Sequence, residues 1–200
     1  MKKTLLLFVL CLLAYTAQAQ QKITLTWEAT ANGLRVINLR ATTGTDNITV
    51  DWGNGTTSKL SGKGTDTSVS GTSTITYTET RSYTVTITAN AGTNLTYFSV
   101  PVDTRLTSLD VSKATKLTYL MCRGDGNWLT ELDVSMLPEL ETLYCFSNRL
   151  KKLKISETVN KKLKTLQCHS NRLPLSQLYP IWMNKNISSL KSIQSQSFTD

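Results

Sequence analysis

The second half of the chain repeats itself every 23 residues, and this period limits the fold more than any other feature. Copies of the motif Leu-x-x-Leu-x-Cys begin at Leu117, Leu140 and Leu163. An asparagine follows each cysteine, at Asn127, Asn148 and Asn171, with two extra residues within Arg123-Gly124-Asp125-Gly126 of the first copy. One such unit cannot bury its own leucines. Successive units must therefore stack, and we expect their short strands to form a parallel sheet with a spacing of about 4.8 Å.

A second shared phrase lies between these motifs and predicts the returning, convex side of each unit. It runs from Leu106 to Ser112, from Leu129 to Ser135 and, less closely, from Leu150 to Ser156. Terminal repeats are expected to be atypical, because they cap an otherwise exposed core. Leu95-x-x-Phe98-x-Val100 fits a degenerate first repeat, and Leu190-x-x-Ile193 with Phe198 fits an exit strand.

The first half has a different composition and a different period. From Lys22 to Thr96 it is rich in Thr, Ser, Gly and Asn, and apolar residues alternate with polar ones. Strict alternation predicts antiparallel strands with one apolar face. We place these strands around residues 23–28, 34–40, 48–52, 75–77 and 83–88, in two sheets packed face to face. We place the boundary between Asn90 and Leu95, which gives domains at residues 20–94 and 95–200.

The segment from Val50 to Thr56 contains an Asn-Gly step, which tolerates the positive φ angles of a tight turn. Asp51 precedes this step. It could serve as a calcium ligand or a catalytic carboxylate, but calcium takes six to eight oxygens and no acidic partner lies close in sequence. We therefore interpret Asp51 as a turn residue.

Two resemblances follow from these motifs. Residues 22–90, through the segments 50–56 and 83–88, resemble a PKD-type domain, which implies an immunoglobulin-like β-sandwich. Residues 95–175 resemble the secreted leucine-rich-repeat proteins of Bacteroidetes-type bacteria, which implies a surface or periplasmic interaction protein. The expected fold class is mainly β, an N-terminal immunoglobulin-like β-sandwich followed by a short leucine-rich-repeat solenoid with a parallel β-sheet.

The first nineteen residues predict a cleaved signal peptide and hence export to the periplasm, the outer surface or the extracellular space. Lys2 and Lys3 precede the apolar run from Leu5 to Ala14, and Ala17-Gln18-Ala19 offers a small-residue cleavage site. The apolar run is much shorter than the roughly 20 residues of a membrane span. We therefore expect no membrane span in the mature chain.

Cleavage lowers the formal net charge from +8 to +6, and much of the surplus lies between Arg149 and Arg172. Such a cluster could contact nucleic acid, an anionic glycan or a membrane surface. Its lysines mostly fall between the repeat leucines, which favours a solvated face, and export argues against nucleic acid.

Cys122, Cys145 and Cys168 occupy equivalent repeat positions, which predicts a ladder of buried thiols rather than a disulfide or a metal site. His169 follows Cys168 and invites comparison with a Cys-His nucleophile pair. Adjacent residues of a strand point to opposite faces, so we expect the thiol and the imidazole to be separated. The sequence contains no other catalytic motif, and we expect a non-enzymatic protein without a cofactor or a metal.

The favoured function is recognition of a protein partner through the concave face of the repeat array. Residues on either side of the second strand leucine, or of Phe98 in the first unit, should project outward there. The expected pairs are Tyr97 and Ser99, Tyr119 and Met121, Thr142 and Tyr144, and Thr165 and Gln167. Aromatic, Met and Arg side chains are typical of interface centres. The alternatives are binding of acidic or other glycans, with Tyr119, Tyr144 and Trp128 stacking on sugar rings, and a structural spacer. The candidate ligand-binding residues are Tyr97, Tyr119, Met121, Tyr144, Phe146, Gln167, His169, Arg149 and Arg172. Tyr119 and Tyr144 are one period plus two residues apart, so we expect them to lie on adjacent units and to form one apolar surface, with Phe146 beside it. Arg123, Arg149 and Arg172 should lie near the edge of the face.

Overall fold

The protein is mainly β, as the sequence predicts, in a computed structural model that describes residues 20–41, 48–60, 69–101, 104–124, 128–184 and 187–191. The predicted signal peptide, Asn127, Ile193 and Phe198 lie outside the described residues. The described elements are β1 (Gln21–Ala29), β2 (Leu34–Ala41), β3 (Ile48–Asp51), β4 (Thr57–Leu60), β5 (Val69–Thr76), β6 (Arg81–Ala89), β7 (Leu95–Ser99), β8 (Leu106–Asp110), β9 (Tyr119–Met121), β10 (Glu131–Asp133), β11 (Thr142–Tyr144), β12 (Lys152–Lys154), β13 (Thr165–Gln167), α1 (Leu175–Met183) and β14 (Ser189–Lys191).

These strands form three sheets. A five-stranded sheet has the order β4-β3-β6-β1-β8, and a seven-stranded sheet has the order β14-β13-β11-β9-β7-β2-β5. In the seven-stranded sheet β7, β9, β11, β13 and β14 are parallel, whereas β2 pairs antiparallel with both β5 and β7. The small third sheet is the parallel pair β10-β12.

Both large sheets run across the boundary placed at residues 90–95. Strand β7 joins β2 on one side and β9 on the other, so the parallel part extends a sheet of the first half. Strand β8 pairs antiparallel with β1 and becomes an edge of the five-stranded sheet. The buried hydrophobic residues of the two halves form one continuous cluster.

A hydrogen-bonded aromatic group links the two sheets in the first half. Trp27 lies in β1, Trp52 follows β3 and Tyr77 follows β5, and all three side chains are fully buried. The Trp27 indole Nε1 donates to the Tyr77 hydroxyl at 3.2 Å, and that hydroxyl donates to the Trp52 carbonyl at 2.9 Å. Burial of these rings costs little free energy because their N–H and O–H groups form hydrogen bonds inside the core.

The turn after β3 confirms the interpretation of Asp51. Its carboxylate accepts a hydrogen bond from the Gly53 backbone N–H at 2.9 Å. Gly53 has a φ of 72°, and a Cβ there would lie 2.3 Å from the Thr84 carbonyl oxygen. Glycine adopts this positive φ readily and has no Cβ that would clash with the carbonyl, so it is the residue that fits this turn.

The repeat places equivalent residues in register across the parallel strands. Leu120 pairs with Leu143 and Leu143 with Leu166, and all three are fully buried. Cys122, Cys145 and Cys168 are buried and form no disulfide with one another, which confirms the predicted ladder of thiols.

Asparagines hold the ends of these strands. The Asn171 Nδ2 donates to the carbonyls of Cys145 at 3.0 Å and Cys168 at 2.9 Å, while its Oδ1 accepts the Leu150 N–H at 3.0 Å. Asn148 makes the corresponding bonds to the carbonyls of Cys122 and Cys145. The repeated asparagine therefore joins neighbouring units through the backbone.

Helix α1 was not predicted from the sequence, since Pro180 lies within it. Leu178 and Ile181 pack into the core, and Gln177 binds the open edge of β12. The Gln177 Oε1 accepts the Leu153 N–H at 2.9 Å, and its Nε2 donates to the Lys151 carbonyl at 3.2 Å. The helix thus satisfies backbone groups that the next unit would satisfy in a longer array.

Candidate functional site

Alternating side chains on the seven-stranded sheet create an outer face that is rich in aromatic residues. In β9, β11 and β13 the central residue is buried and its two neighbours are half-buried. Register aligns Tyr97 with Tyr119, and Met121 with Tyr144 and Gln167. We call the following set the aromatic face: Arg40, Tyr97, Tyr119, Met121, Arg123, Tyr144, Phe146, Gln167 and His169.

The first row of this face runs across β2, β7 and β9. The Arg40 guanidinium carbon lies 4.9 Å from the Tyr97 ring centre, and the Tyr97 ring stacks on Tyr119 at 4.5 Å with 10° between the planes. Tyr144 approaches Tyr119 edge-on at 5.6 Å and 88°. The predicted contact of Tyr119 and Tyr144 from adjacent units is thereby confirmed.

The second row lies where β9, β11 and β13 end. The Phe146 ring stacks on the His169 imidazole at 4.5 Å with 17° between the planes. The Arg123 guanidinium carbon lies 5.1 Å from the Phe146 ring centre. Since Arg123, Phe146 and His169 are each one repeat apart, Phe146 lies between a guanidinium and an imidazole.

Two arginines predicted for the edge of the face lie beyond these rows. Arg149 is exposed and its guanidinium carbon lies 4.9 Å from the Trp128 ring centre, which Arg105 also approaches at 5.7 Å. Arg172 is exposed, and its backbone N–H donates to the Leu150 carbonyl at 2.9 Å.

The expectation that Ser99 projects outward is wrong, because Ser99 is fully buried. Its register neighbours are Asn38 and Met121, both of which carry longer side chains that can cover a serine. Arg40 was missed. It belongs to the first half of the chain, so the repeat period carries no signal for it.

The surroundings of Tyr119 in this face shift the pKa of its hydroxyl. Burial raises the pKa of the Tyr119 hydroxyl, and the neighbouring Tyr97 and Tyr144 raise it further. Tyr119 is therefore neutral at physiological pH, and its hydroxyl contacts the Met121 sulfur at 3.7 Å. Ion pairs between described residues join Arg81 to Glu79, Lys154 to Asp133 and Lys162 to Glu139.

The geometry separates Cys168 from His169, as expected. The thiol is buried in the core, and burial raises its pKa to about 12, whereas the half-buried imidazole stacks on Phe146. A thiol that remains protonated is a poor nucleophile. Within the described ranges, no three His, Cys, Asp or Glu side chains come together in a way that could hold a metal ion.

A groove of about 540 Å³ lies away from the aromatic face, where β8 and β10 separate. Its charged lining residues are Asp110, Glu131, Asp133, Lys152 and Lys154. The Lys154 ammonium donates to Asp133 at 2.7 Å. This groove therefore combines both signs of charge, whereas the charged groups of the aromatic face are cationic.

No helix in the described part of the chain is long and apolar enough to cross a membrane. No protein-family model, curated protein or solved structure matches the chain.

Proposed function

We propose that this chain is an exported, non-catalytic recognition protein of the leucine-rich-repeat type, and that its aromatic face binds a protein partner. The observation that carries the proposal is the pair of contact rows on this face. The first row joins Arg40, Tyr97, Tyr119 and Tyr144, the second joins Arg123, Phe146 and His169, and together they span five neighbouring strands. Aromatic and Arg side chains in one patch are typical of the energetically dominant centre of a protein interface.

The ring orientations favour a protein over a sugar. A sugar ring stacks on the open face of an aromatic ring, as do the other ligands that use π-faces. Tyr97 has Arg40 on one side and Tyr119 on the other, and Phe146 has Arg123 and His169. These two rings therefore offer their edges to a ligand. Edge contacts and hydroxyl groups suit the mixed polar and apolar surface of a protein.

The export component rests on the sequence alone. The charged start, the apolar run from Leu5 to Ala14 and the small residues at 17–19 support it. A surface or periplasmic location also agrees with a recognition role. Mass spectrometry of the mature protein from its native host tests this part, and a chain that retains residues 1–19 would contradict it.

Alanine substitution tests the binding role. The immobilised protein is exposed to envelope extracts, the captured partner is identified, and its affinity is measured for the wild type, Tyr144→Ala, Phe146→Ala and Tyr179→Ala. Tyr179 is a matched control, because it is 63% exposed on α1, outside the aromatic face. We expect each of the first two changes to weaken binding by about 1 kcal/mol or more while the control has no effect.

The same variants separate the alternatives. A glycan array on which the wild type binds and Tyr144→Ala does not would favour carbohydrate recognition. Capture of nothing from the extracts would favour a structural spacer. A sharp drop in melting temperature for both aromatic variants would show that these side chains act mainly in the fold.

A further inference from the structure

Helix α1 carries a row of exposed apolar side chains, which we call the apolar ridge. Leu175, Tyr179 and Met183 lie at positions i, i+4 and i+8 of the helix and are 54%, 63% and 61% exposed. Every fourth residue of an α-helix falls on nearly the same face, so the ridge is about 12 Å long. Two other large hydrophobic residues of the described chain are as exposed, Leu34 and Met136, and both lie outside α1.

The inner side of α1 fixes the ridge in place. Leu178 and Ile181 pack into the core, and Gln177 is hydrogen-bonded to the edge of β12. The helix contains no charged residue. The outer side of a surface helix usually carries charged or polar side chains that water solvates. An outer side with three large apolar side chains and no charge therefore indicates a contact surface.

The chain around α1 is strongly basic. From residue 149 to residue 191 the sequence contains ten Lys or Arg residues, and its single acidic residue is Glu157. Asp133 and Glu139 form ion pairs with two of these cations, Lys154 and Lys162. A surplus of positive charge therefore remains in this part of the protein.

Two exposed lysines adjoin the helix. The Gln177 Nε2 donates to the Lys151 carbonyl at 3.2 Å. Lys152 lines a groove of about 400 Å³ together with Ser176 and Pro180 of α1. Ser176 and Pro180 each follow a residue of the apolar ridge, so Lys152 lies on one flank of the ridge. The ridge and these two lysines form one surface, apolar in the middle and cationic at the side.

We propose that this α1 surface docks on an anionic lipid bilayer. Peripheral membrane binding combines apolar side chains that enter the boundary between headgroups and acyl chains with cations that attract anionic headgroups. The apolar ridge supplies the first component, and Lys151 and Lys152 supply the second. Long lysine stems let the ammonium groups reach the headgroups while the ridge is inserted. A tyrosine suits this boundary, because its ring is apolar and its hydroxyl is polar.

A bilayer fits this surface better than a protein does. Two copies of the chain that met through α1 would bring their lysines together, and like charges repel. Another protein would need a groove shaped for the ridge, whereas a fluid bilayer adapts to it. The α1 surface adjoins the edge of β12, which belongs to a different sheet from the aromatic face. This inference is therefore independent of the proposed recognition function.

Flotation of the full protein with lipid vesicles tests the proposal. One set of vesicles consists of phosphatidylcholine, and in the other about one third of the lipid is phosphatidylglycerol. We expect a partition coefficient at least tenfold higher for the anionic vesicles at low salt, with a difference that shrinks as salt rises. Equal binding to both sets of vesicles, or binding to neither, overturns the proposal.

Matched double variants assign the apolar contribution to the ridge. Leu175→Ser with Met183→Ser is expected to lower the partition coefficient about tenfold or more, because both side chains lose apolar area that the bilayer would bury. Leu34→Ser with Met136→Ser is the control, since it makes the same two changes at side chains that are each 58% exposed. All four residues are exposed, so both variants should melt at the wild-type temperature. An equal loss of binding in the control overturns the proposal.

A second pair of variants tests the charge. Lys151→Gln with Lys152→Gln is expected to weaken binding to the anionic vesicles several-fold. Lys22→Gln with Lys59→Gln removes the same charge from exposed lysines of β1 and β4 and should have a smaller effect. An equal loss in the two variants shows that net charge alone is responsible, and this result overturns the proposal.

Two measurements exclude other occupants and other surfaces. Sedimentation equilibrium without vesicles should give a monomer, and a dimer that the ridge variant dissociates would assign the ridge to a second copy of the chain. Tyr144→Ala should leave vesicle binding unchanged, and its loss would move the docking surface to the aromatic face. Either of these contrary results overturns the proposal. Partner capture that fails while vesicle binding persists refutes the recognition function alone.

Discussion

Substitution of Asn171 by alanine is expected to cause a large loss of stability without touching an apolar contact. Asn171 is 3% exposed and connects the third repeat to the second through its amide. The Leu150 N–H donates to its Oδ1 at 3.0 Å, and the Cys168 carbonyl accepts from its Nδ2 at 2.9 Å. Alanine removes the partner that Asn171 gives to each of these buried groups.

The expected magnitude follows from these two orphaned groups. An unsatisfied buried donor or acceptor costs about 1–3 kcal/mol, so the sum is about 2–6 kcal/mol. The Cys145 carbonyl loses one bond as well, but it keeps the bond from the Asn148 Nδ2 at 3.2 Å. Water that enters the space left by the amide reduces the cost, and we therefore expect about 3 kcal/mol.

Equilibrium unfolding in urea, followed by tryptophan fluorescence, measures this loss. Asn90→Ala is the matched control, because Asn90 is exposed and the change there should stay within about 0.5 kcal/mol. A loss below about 1 kcal/mol in Asn171→Ala would refute the reasoning. It would mean that the asparagine ladder is replaced by water at little cost.

Three further changes test the core and the turn. Cys145→Ser places a hydroxyl among apolar side chains and should lower the free energy of unfolding by about 1–3 kcal/mol if the hydroxyl finds no partner. Fast labelling of all three thiols in native buffer would contradict their burial. Burial raises the pKa of the Cys122 and Cys168 thiols from 9.0 to about 12. The free energy of unfolding should therefore be independent of these thiols below pH 9, and above pH 9 it should fall by about 1.4 kcal/mol per pH unit for each thiol. A pH series of urea titrations measures this fall. Gly53→Ala should cost about 1–3 kcal/mol more than Gly55→Ala in thermal melts, because both glycines have positive φ but only the first would press a Cβ against the Thr84 carbonyl.

The sequence predicted those parts of the fold that depend on local periodicity. Alternation predicted β1, β2, β3 and β6, and the 23-residue period predicted the buried thiols and the ring contact of Tyr119 with Tyr144. Short-range pattern determines which side of a strand faces the core, so these inferences needed no knowledge of distant contacts.

Features that depend on long-range pairing were not predictable in this way. Arg40 meets Tyr97 only because β2 pairs with β7, and the buried state of Ser99 depends on its neighbours in register. Helix α1 was missed because a proline lies inside it and because its stabilising contacts, such as that of Gln177 with Leu153, come from another unit. Tertiary contacts override local preference at these positions.

The continuity of the two halves bears directly on what the first half does. If it were only a spacer, the aromatic face would be complete within the repeats. Instead Arg40 of β2 closes the first row by covering Tyr97, and β2 itself supplies the antiparallel partner that protects the edge of β7. The five-stranded sheet also joins the two halves, since β1 of the first half pairs with β8 of the second half, where Leu106 is buried. The first half therefore caps the start of the repeat array and contributes a cation to the aromatic face through the same strand.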